Sequence, residues 1–234
     1  MPFSADLSQF AASSQGGPPV KLGTRYDAAG FLPEAGNTIV CHLDESAPAH
    51  SAVLEARDRM QRLVGAEHLL FTPQSSLHMT LFEGVIETHR TADAWPDDVD
   101  CDAPIAQVTD VMVQRLTGLV PPAGFSVRVV GLRPTGLVLC GASEADGVAM
   151  GAWREALSQA FGFRHINHDS YQFHMTFSYL INWLPDVVLP RWERELQSIF
   201  DDLVRAAPVI PLRPPAFCRF DDMTEFRELV VLAV

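Results

Sequence analysis

Leu77-His78-Met79-Thr80-Leu81 and Phe173-His174-Met175-Thr176-Phe177 are the two stretches on which the fold turns. Each reads apolar, His, Met, Thr, apolar. Eleven threonines among 234 residues give any one histidine about a 5 % chance of a Thr two positions on, so among eight histidines the pattern should occur less than once. It occurs twice, with the same flanks. In a strand, successive side chains alternate faces. His78 and Thr80 therefore share one face, and Leu77, Met79 and Leu81 the other. On the second strand Gln172, His174, Thr176 and Ser178 lie opposite Tyr171, Phe173, Met175 and Phe177. By this alternation no acid falls on the His/Thr face of either strand.

Outward from the motifs, the chain repeats itself. Thr38 to Leu43 is apolar and β-branched at its start, a short strand. Ser46 and Pro48 mark a helix start, Val53, Ala56, Met60 and Val64 form one helical face, and Gly65 ends it. Strands are expected over residues 68–71 and 76–82. A helix from Pro104 to about Val120 would bury Ile105, Val108, Met112, Leu116 and Leu119. A hairpin crosses the turn Arg133-Pro134-Thr135, with arms at 125–130 and 136–140. The order then recurs. Ser143-Glu-Ala-Asp146 is a capping-box start for a helix burying Trp153, Ala156, Leu157, Ala160 and Phe161. A strand over 171–180 follows, then a helix opened by Pro190 with Trp192, Leu196, Ile199 and Leu203, and strands near 216–220 and 228–233. The first strand begins 40 residues before His78, and Gly136 lies 38 before His174. The reading is an α+β chain with a duplicated, bilobal fold: two antiparallel-rich sheets facing a central groove, helices outside. Residues 1–36 are expected as an N-terminal extension, flexible around Ser13-Ser14-Gln15-Gly16-Gly17-Pro18-Pro19. Residues 37–234 are expected as one domain with pseudo-repeats of about 37–132 and 133–234.

If a pseudo-twofold axis brings the polar faces together, two imidazoles and two hydroxyls converge. That set suits attack on a phosphodiester. One imidazole takes a proton from water or a ribose hydroxyl and the other protonates the leaving oxygen, which an unperturbed pKa near 6.5 allows at neutral pH. Threonine hydroxyls can hydrogen-bond the non-bridging oxygens. Paired His-x-Thr/Ser motifs with apolar flanks in a duplicated α+β chain resemble the 2H phosphoesterase superfamily, which includes bacterial and archaeal RNA cyclic phosphodiesterase/ligase-like proteins and plant and fungal cyclic phosphodiesterases. The resemblance covers about residues 38–234. It implies metal-free chemistry, with no cofactor, at 2′,3′-cyclic or related phosphoesters. Carried over, His78 and His174 are the acid/base pair, and Thr80 and Thr176 bind phosphate. Residues 21–36 precede the usual first strand and stand outside the common pattern.

Composition narrows the substrate. The formal net charge is −12, from 29 acids and 17 bases. Such a surface repels a long phosphate backbone, because affinity for nucleic acid comes mainly from Lys and Arg neutralising phosphates. Lys21 is the one lysine, which excludes a Walker-type phosphate loop. A small phosphoester is the expected partner of a monomeric protein. No basic start followed by an apolar stretch marks a secretory signal, and no apolar run approaches the roughly 20 residues of a membrane helix. Cys41, Cys101, Cys140 and Cys218 are scattered without a Cys-x-x-Cys pair, so a reduced, cytoplasmic protein is expected.

Further residues are weaker candidates for the groove. Arg219 is an attractive phosphate clamp, since Arg recognises phosphate bidentately, with Arg128 and Arg133 as rivals. Gln172 and Ser178 share the face of His174 and Thr176, and His42, which alternates opposite Cys41 on the first strand, is a further candidate against the commoner role of a core-edge or surface histidine. Tyr26, Tyr171 and Trp183 are candidates for base stacking, each against the commoner role of core packing. His165 and His168 raise a metal-dependent hydrolase as an alternative, but His-x-x-His without a helix or closing ligand is a weak signal. A second alternative is a module that binds a phosphorylated ligand without turnover; an acid and a base would then serve no purpose.

Overall fold

A computed structural model describes residues 7–232; the first six residues of the N-terminal extension, and Ala233 at the end of the last expected strand, lie outside them. Tyr26–Asp27 (β1) and Gly30–Phe31 (β2) form a small hairpin, followed by Gly36–His42 (β3) and helix Ala49–Gln61 (α1). Leu69–Phe71 (β4), His78–Ile86 (β5) and helix Ile105–Leu116 (α2) complete the first half. The second runs through Val127–Arg133 (β6), Gly136–Gly141 (β7), helix Glu144–Phe161 (α3), His174–Thr176 (β8), Ser178–Leu180 (β9) and helix Leu189–Ala206 (α4). Ala216–Phe220 (β10) and Arg227–Val231 (β11) end the chain.

The fold is α+β, as the alternating patterns require, but the two halves do not make separate sheets. Seven strands form one antiparallel sheet in the order β11-β10-β3-β5-β8-β7-β6. The halves are sewn together where Met79 of β5 pairs with Met175 of β8. Both methionines are apolar, fully buried residues between polar neighbours. Two inward-facing methionines can thus meet at a seam that the sequence pattern alone leaves as a gap. Around this seam each motif strand has an outer partner in register. In β3–β5, His42 faces His78 and Val40 faces Thr80; in β7–β8, Val138 faces His174 and Gly136 faces Thr176.

One sheet face is apolar and carries the helices. Met79, Leu81, Leu137, Met175 and Phe217 join Trp153 of α3 and Trp192 of α4 in one core. The α4 stripe Trp192, Leu196, Ile199 and Leu203 is buried as its spacing implies; each such side chain contributes about 1.5–3 kcal/mol. Ser143 caps α3 in a full capping box with Asp146, and Gly162 closes it in the left-handed region. α1 stops at Gln61, and Gly65 turns the chain with φ +96°. Val64, assigned by spacing to the buried face, is consequently exposed.

Two departures from regular strand geometry shape the other face. Ile39 pairs with Phe82 and Val40 with Thr80, so Leu81 is an extra residue, a β-bulge. A bulge resets the alternation: Leu81 and Phe82 are both buried, and Glu83 turns to the side of His78 and Thr80. The strand expected over 171–180 also breaks. Phe177 N donates to Thr135 O at 2.8 Å, and beyond it the chain leaves the large sheet for β4.

From Leu7 onward the described N-terminal residues are built into the molecule. Leu7 and Phe10 are buried in the core. Within the stretch expected to be flexible, Trp183 Nε1 donates to Gly17 O at 2.5 Å and Ser13 N donates to Asp186 Oδ2 at 3.2 Å.

Candidate active site

His78 and His174 each stand at the first position of a strand, and each ring is held in the same way. His78 Nδ1 lies 2.7 Å from Ser76 O, and His174 Nδ1 lies 3.0 Å from Gln172 O. A carbonyl can only accept, so Nδ1 carries the proton in both rings and Nε2 is left as the working nitrogen. Both rings, with Thr80 and Thr176, line one groove. The Met79–Met175 pairing fixes their mutual places. In antiparallel register it sets His78 across from Thr176 and Thr80 across from His174, so each histidine neighbours the threonine of the other repeat. The histidines are then diagonal neighbours, about 7–8 Å apart at the backbone, a span that admits a phosphoryl group between the rings.

The pair is not symmetric. His78 is half-buried, its ring 4.1 Å from that of Phe226 and 6.2 Å from that of His42. Desolvation pushes its pKa down to about 3, the Ser76 carbonyl opposing, with His42 and His174 adding to the depression. His174 is exposed. The walls come from segments distant in sequence. Phe220, Met223 and Phe226 close one side, and Arg25 and Tyr179 line the same groove with Thr38 and Glu83.

The weaker candidates are scattered. His42 is the cross-strand neighbour of His78 but opens into an adjoining pocket with Arg213 and Glu228. Its Nε2 is 3.7 Å from Glu228 Oε1, and burial lowers its pKa despite that carboxylate. Gln172 contributes its carbonyl to His174, while its side chain accepts from Arg133 Nη2 at 2.8 Å beside the groove. Ser178 is not a groove residue, because the break at Phe177 buries it; its Oγ donates to Pro134 O at 2.8 Å. Arg219 is not a groove residue either. Its neighbour Phe220 faces the groove, so alternation sends Arg219 to the opposite side, beside Thr109 and Asp110 of α2. Arg128 is exposed on β6. Tyr26 is buried against Tyr179, ring centroids 5.0 Å apart, and Tyr171 lies 4.2 Å from the Arg154 guanidinium.

Around the alternative metal site, His165 Nε2 donates to Glu83 O at 2.8 Å, and His168 Nε2 is 3.6 Å from Glu155 Oε2. Arg164 occupies Glu155 and Asp169. Among the described residues no three His, Cys, Asp or Glu side chains are grouped to hold a metal ion.

Sequence reasoning missed Glu83, because a bulge leaves no mark in the pattern, and Arg25, because residues 21–36 were set apart. One signal was present. Asp27-Ala-Ala-Gly30 between two aromatics is a turn, and Asp27 Oδ1 accepts from Ala29 N and Gly30 N at 2.7 and 3.1 Å. That hairpin carries Arg25 to the groove.

Two His/Thr strands thus lie side by side on one antiparallel sheet and line one groove. The 2H-phosphodiest family, described as a domain of unknown function (DUF1868), matches residues 25–138. A crystal structure of a conserved protein of unknown function from Agrobacterium tumefaciens str. C58 is 45 % identical, covering 97 % of this chain and 99 % of that one, with a TM-score of 0.95. No curated protein matches the chain. Residues 25–138, which carry the first of the two His/Thr strands, thus match the 2H-phosphodiest family, whose name is that of the 2H phosphoesterase superfamily.

Proposed function

We propose that the protein hydrolyses a small 2′,3′-cyclic nucleotide or related phosphoester by two-histidine acid/base catalysis without a metal. The observation that carries this reading is the matched anchoring of the two rings, each Nδ1 bound to the carbonyl two residues upstream, with both Nε2 atoms left for one groove.

His78 is the base in this scheme. Its surroundings keep it neutral, and a bound phosphate anion works against the desolvation that depresses it. Its Nε2 removes a proton from water as the water oxygen bonds to phosphorus. The bond from phosphorus to one ribose oxygen breaks on the opposite side. His174, the exposed member of the pair, delivers an Nε2 proton to that leaving oxygen. Thr80 and Thr176 hydroxyls donate to the non-bridging oxygens as charge develops there. The balance is one water consumed and one phosphomonoester formed. A small substrate fits both the net charge of −12 and a groove walled by Phe220, Met223 and Phe226.

A hydrolysis screen with the purified protein tests this. It takes in 2′,3′-cyclic nucleotides, ADP-ribose cyclic phosphate and short RNAs ending in cyclic phosphate, with and without EDTA. Chelator-resistant turnover of a cyclic phosphate is expected. Activity that appears only with added zinc or manganese would refute the scheme.

A further inference from the structure

Arg25 is the one Lys or Arg among the described residues lining the groove. Its Nε donates to Glu34, and its guanidinium is coupled to the Tyr179 hydroxyl. Glu34 is 1 % exposed and also accepts from Thr88 Oγ1. The guanidinium is thus held in place by Glu34 and Tyr179 where Arg25 lines the groove. Such a planar donor, held in place beforehand, loses little freedom on meeting an anion.

Its place along the groove decides what it meets. β5 runs from His78 past Thr80 and Glu83 to Ile86, and all four line the groove. Thr88, which shares Glu34 with Arg25, lies two residues beyond Ile86, and Glu34 lies two residues before Gly36, the partner of Ile86. Arg25 is therefore rooted at the end of the groove away from the histidines. Thr80 and Ile86 face Val40 and Gly36, four residues apart on β3, so they are separated by about 13 Å along the sheet at about 3.3 Å per residue, two register shifts taking up the extra length of β5. Less the reach of the arginine side chain, that is the span of a ribose and its 5′ substituent between the reacting phosphorus and the guanidinium. Glu83 lies between them on β5 and disfavours an anion there, so the seat for a second anion is confined to the Arg25 end.

We infer that Arg25 binds a second anionic group of the substrate, such as the 5′-phosphate of a nucleoside 2′,3′-cyclic phosphate, and so determines specificity rather than taking part in bond cleavage. The inference rests on the phosphoesterase reading above. The test compares adenosine 2′,3′-cyclic phosphate with its 5′-phosphorylated form, using the parent, Arg25→Gln and Arg25→Lys. The parent should favour the 5′-phosphorylated form by about tenfold or more in kcat/KM, the scale of one charged hydrogen bond, with the difference in KM. Arg25→Gln should lose the preference and keep its kcat on the unphosphorylated form; Arg25→Lys should keep part of the preference. Thermal melts identify a variant weakened by leaving Glu34 unpaired, and Arg25→Lys then carries the comparison. Calorimetric titration of both nucleotides separates the two readings. Arg25-dependent preference in binding without turnover would uphold the anion seat and refute the phosphoesterase. Turnover with equal affinity for both forms would refute the seat alone, as would equal losses on both substrates in Arg25→Gln. Neither binding nor turnover would refute both.

Discussion

Met79 lies directly opposite Met175, and that pair is the bridge by which the two His/Thr strands become neighbours in a single sheet. Because each methionine sits between a histidine and a threonine, the bridge sets the spacing of all four groove residues. The groove is thereby tied to a deeply buried part of the sheet, where packing leaves little freedom.

Replacing His78 or His174 with Ala should lower kcat on a cyclic phosphate by about 10²–10⁴, the range for loss of a general acid or base. Far-ultraviolet circular dichroism should be unchanged, since neither ring is part of the hydrophobic core. Near-parental activity in both variants would remove the histidines from the mechanism.

Thr80→Val and Thr176→Val keep the branched shape and remove only the hydroxyl. Each should cost about 10–10³ in kcat with a smaller change in KM, because a donor aimed at developing charge acts mainly in the transition state. A change confined to KM would make the threonines simple ground-state ligands.

Acid should weaken the fold in part through His78. Its folded pKa, about 3, lies below the value near 6.5 of an unfolded histidine, so between these limits the unfolded chain binds the extra proton. Stability therefore falls as pH drops from 6.5 toward 3. His78→Gln should flatten that part of the profile in urea titrations at successive pH values. His42 and His168, also shifted down by burial, would account for slope that persists.

Gly136→Ala should be severely destabilising. Gly136 has φ +139°, and a Cβ there would come 2.1 Å from Met175 O, a backbone atom of the strand bearing His174. At least about 2 kcal/mol should be lost in chemical denaturation, with turnover falling as His174 and Thr176 shift. A variant of parental stability would show that β7 and β8 can separate without harm.

What the sequence made legible was whatever depended on local periodicity. The pairing of His78 with Thr80 and of His174 with Thr176, the helical face of α4 and the Ser143 capping box all follow from spacings of two, three or four residues. What stayed hidden depended on one added residue or on distant partners. Leu81 as a bulge turned Glu83 into the groove against the alternation, and the break at Phe177 took Ser178 out of it. Arg219 was placed on the wrong side because nothing local says which face of β10 meets the groove. The union of two expected sheets into one rests on the Met79–Met175 contact across 96 positions, which no periodicity reports.

The sheet order carries a consequence for how the molecule is made. β10 and β11 complete the sheet beside β3, more than 170 residues earlier in the sequence, and Phe220, Met223 and Phe226 wall the groove. A chain emerging from the ribosome can form the β6–β7 hairpin and α3 as they appear, yet β3 keeps a bare edge until residues 216–220 are synthesised. Such an edge invites pairing with another chain, and a contact this distant in sequence forms slowly. The nascent protein is thus exposed to misassembly through the interval between the synthesis of β3 and that of β10, and its groove lacks the Phe220, Met223 and Phe226 wall until those residues are made.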